Sequence, residues 1–272
     1  MVLKNSLFRV KIVNFISKNR KNYFFKNLYK FALYFIKAYN NVSYNSVQNG
    51  ELRVFGIIKN YGCNNFIECG ANDGLDAIAY SNISQSTNVY ALEIVPPTFE
   101  VLVNNTKNYS KIKSYNFGLG DFEGKINITH YPEASYLSSN YNTSRNIKQE
   151  VYECQIKTGD NFCNENNLEH INFLKIDVEG MDFQVIKGFD NMIKQQKIDV
   201  IQFEYTYGFI YAGCFLKNVF DYFSDKNYII GKIYPDKVDF LEYSYQLDNF
   251  FDANYIIVNK DKTPLIKSLQ NS

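Results

Sequence analysis

Short apolar segments that alternate with helix-like segments constrain the fold of this chain more than any other feature. From residue 64 onward these segments are rich in β-branched or aromatic residues and are bounded by polar or glycine turns, which is typical of β-strands. Strands that alternate with helices form a parallel sheet with helices on both faces. The predicted strands are 65–70, 89–94, 113–118, 173–178 and 200–205, and the predicted helices are 76–81, 97–106, 182–195 and 214–224.

The C-terminal part departs from this alternation. Residues 228–234 and 253–259 resemble two strands with no full helix between them, which suits an antiparallel pair at the sheet edge. The pattern therefore predicts an α/β fold with a doubly wound, mostly parallel, Rossmann-like sheet and antiparallel C-terminal edge strands. Residues 125–160 fit the alternation poorly and are predicted to form an inserted loop or a small sub-sheet over the strand ends.

The N-terminal segment has a charge pattern of its own. Residues 1–50 contain nine Lys or Arg and no Asp or Glu, whereas residues 51–272 contain 20 basic and 28 acidic residues. Apolar residues recur at helical spacing at Phe25, Leu28, Ala32 and Phe35. We therefore expect a basic helical extension over 1–47, before a domain at 48–272. A helical lid packed on the domain is favoured over a helix that contacts a membrane surface.

Composition excludes several classes of protein. An acidic body makes nucleic acid an unexpected partner. The five cysteines are odd in number and contain no C-x-x-C spacing, which argues against disulfides and structural zinc and indicates a reduced, cytoplasmic protein. Peripheral attachment at the inner membrane face and homo-oligomerisation are left open. No apolar run is long enough to span a membrane.

The first two predicted strands end in residues that suit an adenosine-type ligand. The loop 68–74 (ECGANDG) holds Gly70 and Gly74 at a strand-to-helix turn, where a ligand can approach the backbone closely. Asn72 stands where the dinucleotide motif G-x-G-x-x-G requires glycine. Glu93 lies 23 residues after Gly70, and an acid there can accept hydrogen bonds from ribose hydroxyls.

Later strands supply further candidate residues. Residues 116–121 (NFGLGD) could sandwich a purine, with Asp121 available to its amino group, although a plain turn is equally compatible. Asp177 and Glu179 follow the fourth strand, and acids aimed at a ligand face indicate a function. Glu179 could instead cap the following helix. Glu204 ends the fifth strand as a site acid or as an acceptor for a backbone amide.

Two weaker candidates concern proton transfer and metal binding. His130, in the inserted region, is a better candidate for a general base than His170, which precedes the fourth strand. Asp177 and Glu204, with Glu179, could form an oxygen-rich Mg²⁺ site, but this alternative is not favoured and no metal ligands are assigned.

These segments resemble the FkbM family of S-adenosylmethionine-dependent methyltransferases. The resemblance spans about residues 48–260, and its most specific piece is KIDVEG, followed by a helix and Gly188. Two departures are Glu68, where the family commonly has Asp, and a longer turn after Glu93. The matching segments are FIECGANDG (66–74), ALEIVPPTFEVLVNN (91–105), FGLGDFEGK (117–125), FLKIDVEGMDFQVIKGF (173–189), IQFEY (201–205) and NYIIVNK (254–260).

The resemblance implies a class I methyltransferase fold with S-adenosylmethionine as cofactor and S-adenosylhomocysteine as product. It implies that Asp177 lies beside the sulfonium and the acceptor, with Glu179 close by. The residues expected to bind the cofactor are Glu68, Gly70, Asn72, Gly74, Glu93, Asn116, Gly118, Asp121 and Asp177.

The resemblance further implies O-methylation of a small-molecule or glycan substrate. The substrate expected first is a sugar, either nucleotide-activated or part of a bacterial surface polysaccharide. Asp177 is the first choice for the base, followed by His130 and Glu179. Tyr131, Tyr136 and Tyr141 are candidates for the acceptor loop. The alternatives are another small metabolite with an oxygen or nitrogen acceptor, an NAD-type oxidoreductase, and a non-catalytic docking module with a vestigial pocket.

Overall fold

The computed structural model describes residues 7–135, 138–141 and 147–271, in two compact units that divide between Val42 and Ser43. The first unit holds two helices, α1 (Leu7–Asn19) and α2 (Tyr23–Tyr39). In the described part of the chain, no helix is long and apolar enough to cross a membrane. The division lies five residues before the predicted boundary between 47 and 48.

The second unit alternates strands and helices. It begins with α3 (Glu51–Ile58) and a short 3₁₀ helix at Lys59–Tyr61. The strands are β1 (Asn65–Cys69), β2 (Asn88–Leu92), β3 (Ile112–Tyr115), β4 (Gly118–Gly120), β5 (Gly124–His130), β6 (Glu150–Thr158), β7 (Ile171–Ile176), β8 (Ile198–Tyr205), β9 (Tyr228–Ile233), β10 (Val238–Phe240) and β11 (Ala253–Asn259). The remaining helices are α4 (Leu75–Ile83), α5 (Pro96–Thr106), α6 (Gly159–Glu165), α7 (Asp182–Gly188), α8 (Asp190–Lys194), α9 (Gly208–Tyr211), α10 (Leu216–Phe223) and α11 (Thr263–Gln270).

The main sheet confirms the predicted α/β fold. Its strand order is β10-β9-β11-β8-β7-β1-β2-β3, in which β3, β2, β1, β7 and β8 are parallel and β11 is antiparallel to both of its neighbours. Strand β10, which the sequence pattern did not predict, pairs antiparallel with β9 and forms the edge. The poorly fitting segment contributes to a second, three-stranded sheet in the order β4-β6-β5.

Alternation along the buried strands separates two apolar cores. Phe66 in β1 and Phe173 in β7 face α3 and α4, and their rings stack with centroids 5.1 Å apart. Ile67 and Leu174 face the opposite side, in the core that includes residues of α6, α7 and α10. Because successive strand residues point to opposite faces, a continuous apolar run indicates a strand buried on both sides.

The helix predicted over 182–195 is two helices. Helix α7 ends at Gly188, where a Cβ atom would lie 2.0 Å from the carbonyl oxygen of Gly120. Helix α8 begins two residues later, and the carboxylate of Asp160 accepts hydrogen bonds from the amides of Asn191 and Met192. The break therefore follows from close packing at Gly188 and from a cap supplied by a distant residue.

Candidate functional site

A cavity of about 830 Å³ opens at the carboxyl ends of the central strands of the second unit. This is the edge at which open α/β sheets bind ligands. Residues that follow β1, β2, β7 and β8 contribute to its wall. Of the predicted site residues, the wall includes Gly70, Asn72, Glu93, Gly118, Asp177 and Glu179. The others, which the cavity wall does not include, are Glu68, Gly74, Asn116, Asp121 and His130.

The loop after β1 brings backbone close to the end of β7. Gly70 has φ +84°, and a Cβ atom there would lie 1.9 Å from the carbonyl oxygen of Asp177. Its amide donates a hydrogen bond to the carbonyl of Leu92, 3.0 Å away. Glycine is therefore required both for the left-handed conformation and for the close approach. The missing side chain thus lets the loop after β1 pack against the end of β7.

Glu93 connects this loop to the end of β2. One carboxylate oxygen accepts a hydrogen bond from the amide of Asn72 at 3.0 Å, and the other accepts one from the amide of Val95 at 2.8 Å. Burial raises the pKa of Glu93 to about 7, although these amides oppose the shift. Because each oxygen has a further lone pair, the fixed carboxylate can also accept hydrogen bonds from ligand hydroxyls.

One end of the cavity is apolar. Its wall there includes Phe117, Gly118 and Leu119 together with side chains of Ile94, Ile126, Ile128 and Ile156. A Cβ atom on Gly118 would lie 2.6 Å from Cδ1 of Ile94, so this glycine keeps the isoleucine in place. A flat aromatic ligand group would fit such a wall. Sequence analysis missed the isoleucines of β5 and β6, because no local signal ties the inserted sheet to the cavity.

Two residues expected near a purine have other contacts. The side-chain amide of Asn116 donates hydrogen bonds to the carbonyls of Glu93, at 2.9 Å, and Ile94, at 3.3 Å, so it fixes the turn after β2. The carboxylate of Asp121 forms an ion pair with Lys187 of α7. Asp121 is thus paired with a basic residue of a helix distant in sequence and is not part of the cavity wall.

Gly74 has a structural task. It precedes α4 with φ +80°, and a Cβ atom there would lie 2.5 Å from Cδ1 of Leu102 in α5. Its lack of a side chain allows α4 and α5 to pack closely. This packing explains why the loop has a second glycine, and no ligand contact is needed to explain it.

Lys175 of β7 lies at the centre of a group of acids. Its Nζ atom lies 2.8 Å from Asp76, 3.6 Å from Glu68, 3.9 Å from Glu51 and 4.0 Å from Asp177. Glu68 is 1% exposed, and burial raises its pKa to about 8. Strand alternation carries the Glu68 side chain into this group on the α4 side of β1. The other members of the group line the cavity, whereas Glu68 is not part of its wall.

Asp177 is the acid that the end of β7 presents to the cavity. Its amide donates to the carbonyl of Cys69 at 3.0 Å, while 41% of its side chain is exposed. Removal from bulk water raises the pKa of Asp177; Lys175 opposes this shift, and the acids Glu51 and Asp76 add to it. A carboxylate with a raised pKa is a stronger base, which is the property that proton abstraction requires.

The turn after Asp177 is held in an unusual backbone conformation. Glu179 has φ +54°, a region that costs a non-glycine residue about 1–3 kcal/mol. The backbone amide of the next residue, Gly180, donates a hydrogen bond to one carboxylate oxygen of Asp182. The other oxygen of Asp182 accepts a hydrogen bond from the backbone amide of Glu204. Asp182, which sequence analysis missed, therefore fixes this turn. Glu179 and Glu204 both line the cavity.

His130 lies apart from these acids. It is 4% exposed at the end of β5, and its Nδ1 atom lies 3.0 Å from the hydroxyl of Ser138. Burial lowers the pKa of His130. Its side chain shares a face of β5 with Ile126 and Ile128, but the ring is buried against Ser138 and is not part of the cavity wall, so its role as a base stays a prediction. His170 hydrogen-bonds to Asp199 at 2.9 Å. It precedes β7 and so lies at the opposite end of that strand from Asp177.

Several cavity residues had no signal in the sequence. Tyr44 donates a hydrogen bond from its hydroxyl to Asp252 at 2.5 Å, and both line the cavity. Ser135 also lines it and donates to the side-chain oxygen of Asn72 at 3.1 Å. Of the candidate tyrosines, Tyr131 is buried, Tyr141 contacts Met181, a wall residue, and Tyr136 lies outside the described residues.

The acids at the cavity raise the question of a metal site. Across residues 7–135, 138–141 and 147–271, no group of three or more His, Cys, Asp or Glu has the arrangement to hold a metal ion.

Comparison with known proteins gives a family match. The family model described as the methyltransferase FkbM domain matches residues 68–230. Methyltransferase 1 of Beauveria bassiana is 26% identical over 144 aligned positions, and the match covers 46% of this chain. Hexuronic acid methyltransferase AglP of Haloferax volcanii is 26% identical over 155 residues, which are 56% of this chain. Each match covers 58% of the relative's own length.

Solved structures are less similar in sequence. A putative caffeoyl-CoA O-methyltransferase from Staphylococcus aureus is 13% identical, with a TM-score of 0.45 over 93% of this chain and all of that one. A putative methyltransferase from Streptococcus mutans, in complex with S-adenosylhomocysteine, is 9% identical, with a TM-score of 0.44 over 78% of this chain and 97% of that one.

Proposed function

The chain belongs to the FkbM methyltransferase family, whose model covers more than half of it, and we propose that it transfers the methyl group of S-adenosylmethionine to a sugar hydroxyl. The observation that carries the proposal is that Gly70, Asn72, Glu93 and Asp177, which come from three separate strand ends, line one cavity. A fixed acid for a ribose and a candidate base thus share one space.

The cavity residues fit the cofactor. Gly70 lines the cavity, Glu93 would accept hydrogen bonds from ribose hydroxyls, and the apolar wall around Ile94 and Phe117 suits the adenine. When bound, the cofactor supplies a reactive methyl group on a positively charged sulfur. The carboxylate of Asp177 would favour a positive charge near the end of β7.

Asp177 is the proposed base. It would accept the proton of the acceptor hydroxyl, and its raised pKa strengthens it for this task. The strained turn at Glu179 would hold a second carboxylate beside the acceptor. His130 has no part in this proposal, because its ring faces the interior.

The charges around the proposed acceptor position bear on the substrate. Asp177, Glu179, Glu204 and Asp252 line the cavity, and Lys175 is the one basic side chain among its described wall residues. A relative named for hexuronic acid supports a sugar acceptor. We infer that the ring entering this cavity is uncharged or carries an amine, as part of a nucleotide-activated sugar or a surface glycan whose acidic groups stay outside.

Isothermal titration with S-adenosylhomocysteine tests the cofactor assignment. We expect saturable binding to the wild-type protein and binding at least tenfold weaker in Glu93→Gln, because the glutamine side chain has one acceptor oxygen where the carboxylate has two. Glu100→Gln, an exposed change on α5, should bind like the wild type. Folded wild-type protein that does not bind would contradict the proposal. Incubation with S-adenosylmethionine and a panel of sugars, followed by mass spectrometry, then identifies the acceptor.

A further inference from the structure

The first unit has an apolar surface that the proposed reaction does not use. Six large hydrophobic side chains of α1 and nine of α2 are exposed, and α2 contains no buried residue. Phe24, Phe31 and Phe35 are each at least 60% exposed. Soluble proteins rarely leave such a concentration of aromatic and aliphatic side chains in water, so this surface indicates an interaction.

The apolar residues of α2 and its lysines lie on opposite faces. At 100° per residue, Phe24, Leu28, Phe31 and Phe35 fall on one stripe, and Lys26, Lys30 and Lys37 fall on the opposite side of the helix. We call the first group the apolar stripe. Tyr23 and Tyr34, both exposed, lie beside the lysine face. An apolar stripe, flanking aromatic residues and a basic face are the pattern of a helix that lies in the plane of a membrane interface.

The charge of the segment selects the kind of surface. Residues 1–50 carry nine Lys or Arg and no Asp or Glu, so the segment has no acid of its own to neutralise them. A basic segment with this balance is attracted to anionic lipid headgroups, by about 1 kcal/mol for each residue near the surface. At 17 residues with three lysines, α2 does not have the length and apolar character of a membrane-spanning helix.

We propose that α1 and α2 bind the surface of an anionic lipid bilayer, with the apolar stripe of α2 inserted among the acyl chains near the headgroups and the lysines at the phosphates. The sequence pattern left two interpretations of this segment, a packed lid and a membrane helix, and an apolar stripe opposite a lysine face is the pattern of the second. The proposal is independent of the methyl-transfer reaction, because it uses no residue of the cavity.

Vesicle flotation of the full-length protein tests the proposal. We expect it to float with vesicles of phosphatidylcholine mixed with phosphatidylglycerol, and to float much less with phosphatidylcholine alone or in high salt. Replacing two lysines (Lys26→Gln with Lys30→Gln) should weaken binding to the anionic vesicles by roughly 30-fold, which is about 1 kcal/mol for each charge removed. Replacing two residues of the apolar stripe (Phe31→Ser with Phe35→Ser) should weaken binding to a similar or greater degree.

Matched changes in the second unit serve as controls. Lys107→Gln with Lys260→Gln removes the same charge, and Phe122→Ser with Tyr245→Ser removes two exposed aromatic rings. Both control variants should float like the wild type, and melting curves should show that every variant is folded. Folded wild-type protein that stays off anionic vesicles overturns the proposal, and so does equal loss in the control variants. Self-association through this segment, seen by light scattering without vesicle binding, would indicate a protein contact instead and also overturns it.

Discussion

The backbone of Gly70 packs directly on the carbonyl oxygen of Asp177, so closely that a Cβ atom at Gly70 would lie 1.9 Å from that oxygen. The two residues end neighbouring parallel strands, β1 and β7, and the amide of Asp177 bonds to the carbonyl of Cys69. The proposed cofactor loop and the proposed base are therefore parts of one rigid junction. A shift in the backbone of either residue should therefore displace the other.

We expect Gly70→Ala to weaken S-adenosylhomocysteine binding strongly and to lower stability. The positive φ alone costs about 1–3 kcal/mol, and the contact with the Asp177 carbonyl adds a cost of similar size because backbone must move. Titration calorimetry and urea denaturation measure the two effects. Gly56→Ala is the control, because nothing lies within 4 Å of a Cβ atom there; a loss in Gly56→Ala equal to that in Gly70→Ala would contradict the argument.

Asp177→Asn should reduce the rate constant for methyl transfer by roughly 10²-fold or more, with S-adenosylhomocysteine affinity changed by a few-fold at most. The amide keeps the shape of the side chain but does not take up the proton of the acceptor. Single-turnover assays with the identified acceptor measure the rate. Asp221→Asn, which breaks an exposed ion pair with Lys217, should react like the wild type. Wild-type rates in Asp177→Asn would exclude it as the base.

The positions of most site residues could be predicted from the sequence because strand ends are local features. The β-branched and aromatic runs indicated the five parallel strands, and parallel strands place their carboxyl ends at one edge. Gly70, Glu93 and Asp177 each stand directly after such a run, so their convergence on the cavity follows from the fold class. The resemblance to the FkbM family, which the family match confirms, then suggested a chemical meaning for that convergence.

Residues whose contacts come from distant segments could not be predicted in this way. Asp121 follows a strand as the site acids do, but its position depends on Lys187 from another helix. His130 depends on the pleat of β5 and on Ser138. Ser135 and Tyr44 reach the cavity from segments with no strand or helix pattern of their own. Long-range contacts, which local patterns do not encode, determine the positions of Asp121, Ser135 and Tyr44.

Glu68 should make the free energy of unfolding depend on pH. Its folded pKa of about 8 lies above its ordinary value of 4.5 because it is buried. The folded state therefore holds a proton that the unfolded state has lost, so the unfolding free energy falls as pH rises from about 4.5 to 8. This group alone contributes up to about 1.4 kcal/mol for each pH unit in that window. Urea denaturation from pH 5 to 8 should show a smaller fall in the free energy of unfolding for Glu68→Gln than for the wild type. Glu100→Gln, a change at an exposed residue, should show the same pH dependence as the wild type.

An acidic sugar should be a poorer acceptor than its uncharged counterpart. Asp177, Glu179 and Asp252 line the same cavity, and a further negative charge there is repelled in a medium that screens weakly. We expect kcat/KM for a hexuronic acid to be at least tenfold below that for the matching neutral hexose. Glu179→Gln should narrow this difference. Equal or higher activity with the acid in the wild-type protein would show that the cavity acids do not face the acceptor.

Lys175→Met should destabilise the protein by up to about 3 kcal/mol, because it leaves the buried Glu51 and the half-exposed Asp76 without their cation. Asp76 lies closest, at 2.8 Å, and Glu68 follows at 3.6 Å. If these charges are the cause, the double variant Lys175→Met with Asp76→Asn should recover part of the loss, which urea denaturation at pH 7 measures. A double variant less stable than the sum of its single variants would instead assign the loss to packing around the lysine stem. Methionine retains most of the volume of the lysine stem, so the substitution removes the charge with little loss of packing. Removing the charge of Asp76 as well should therefore restore part of the stability.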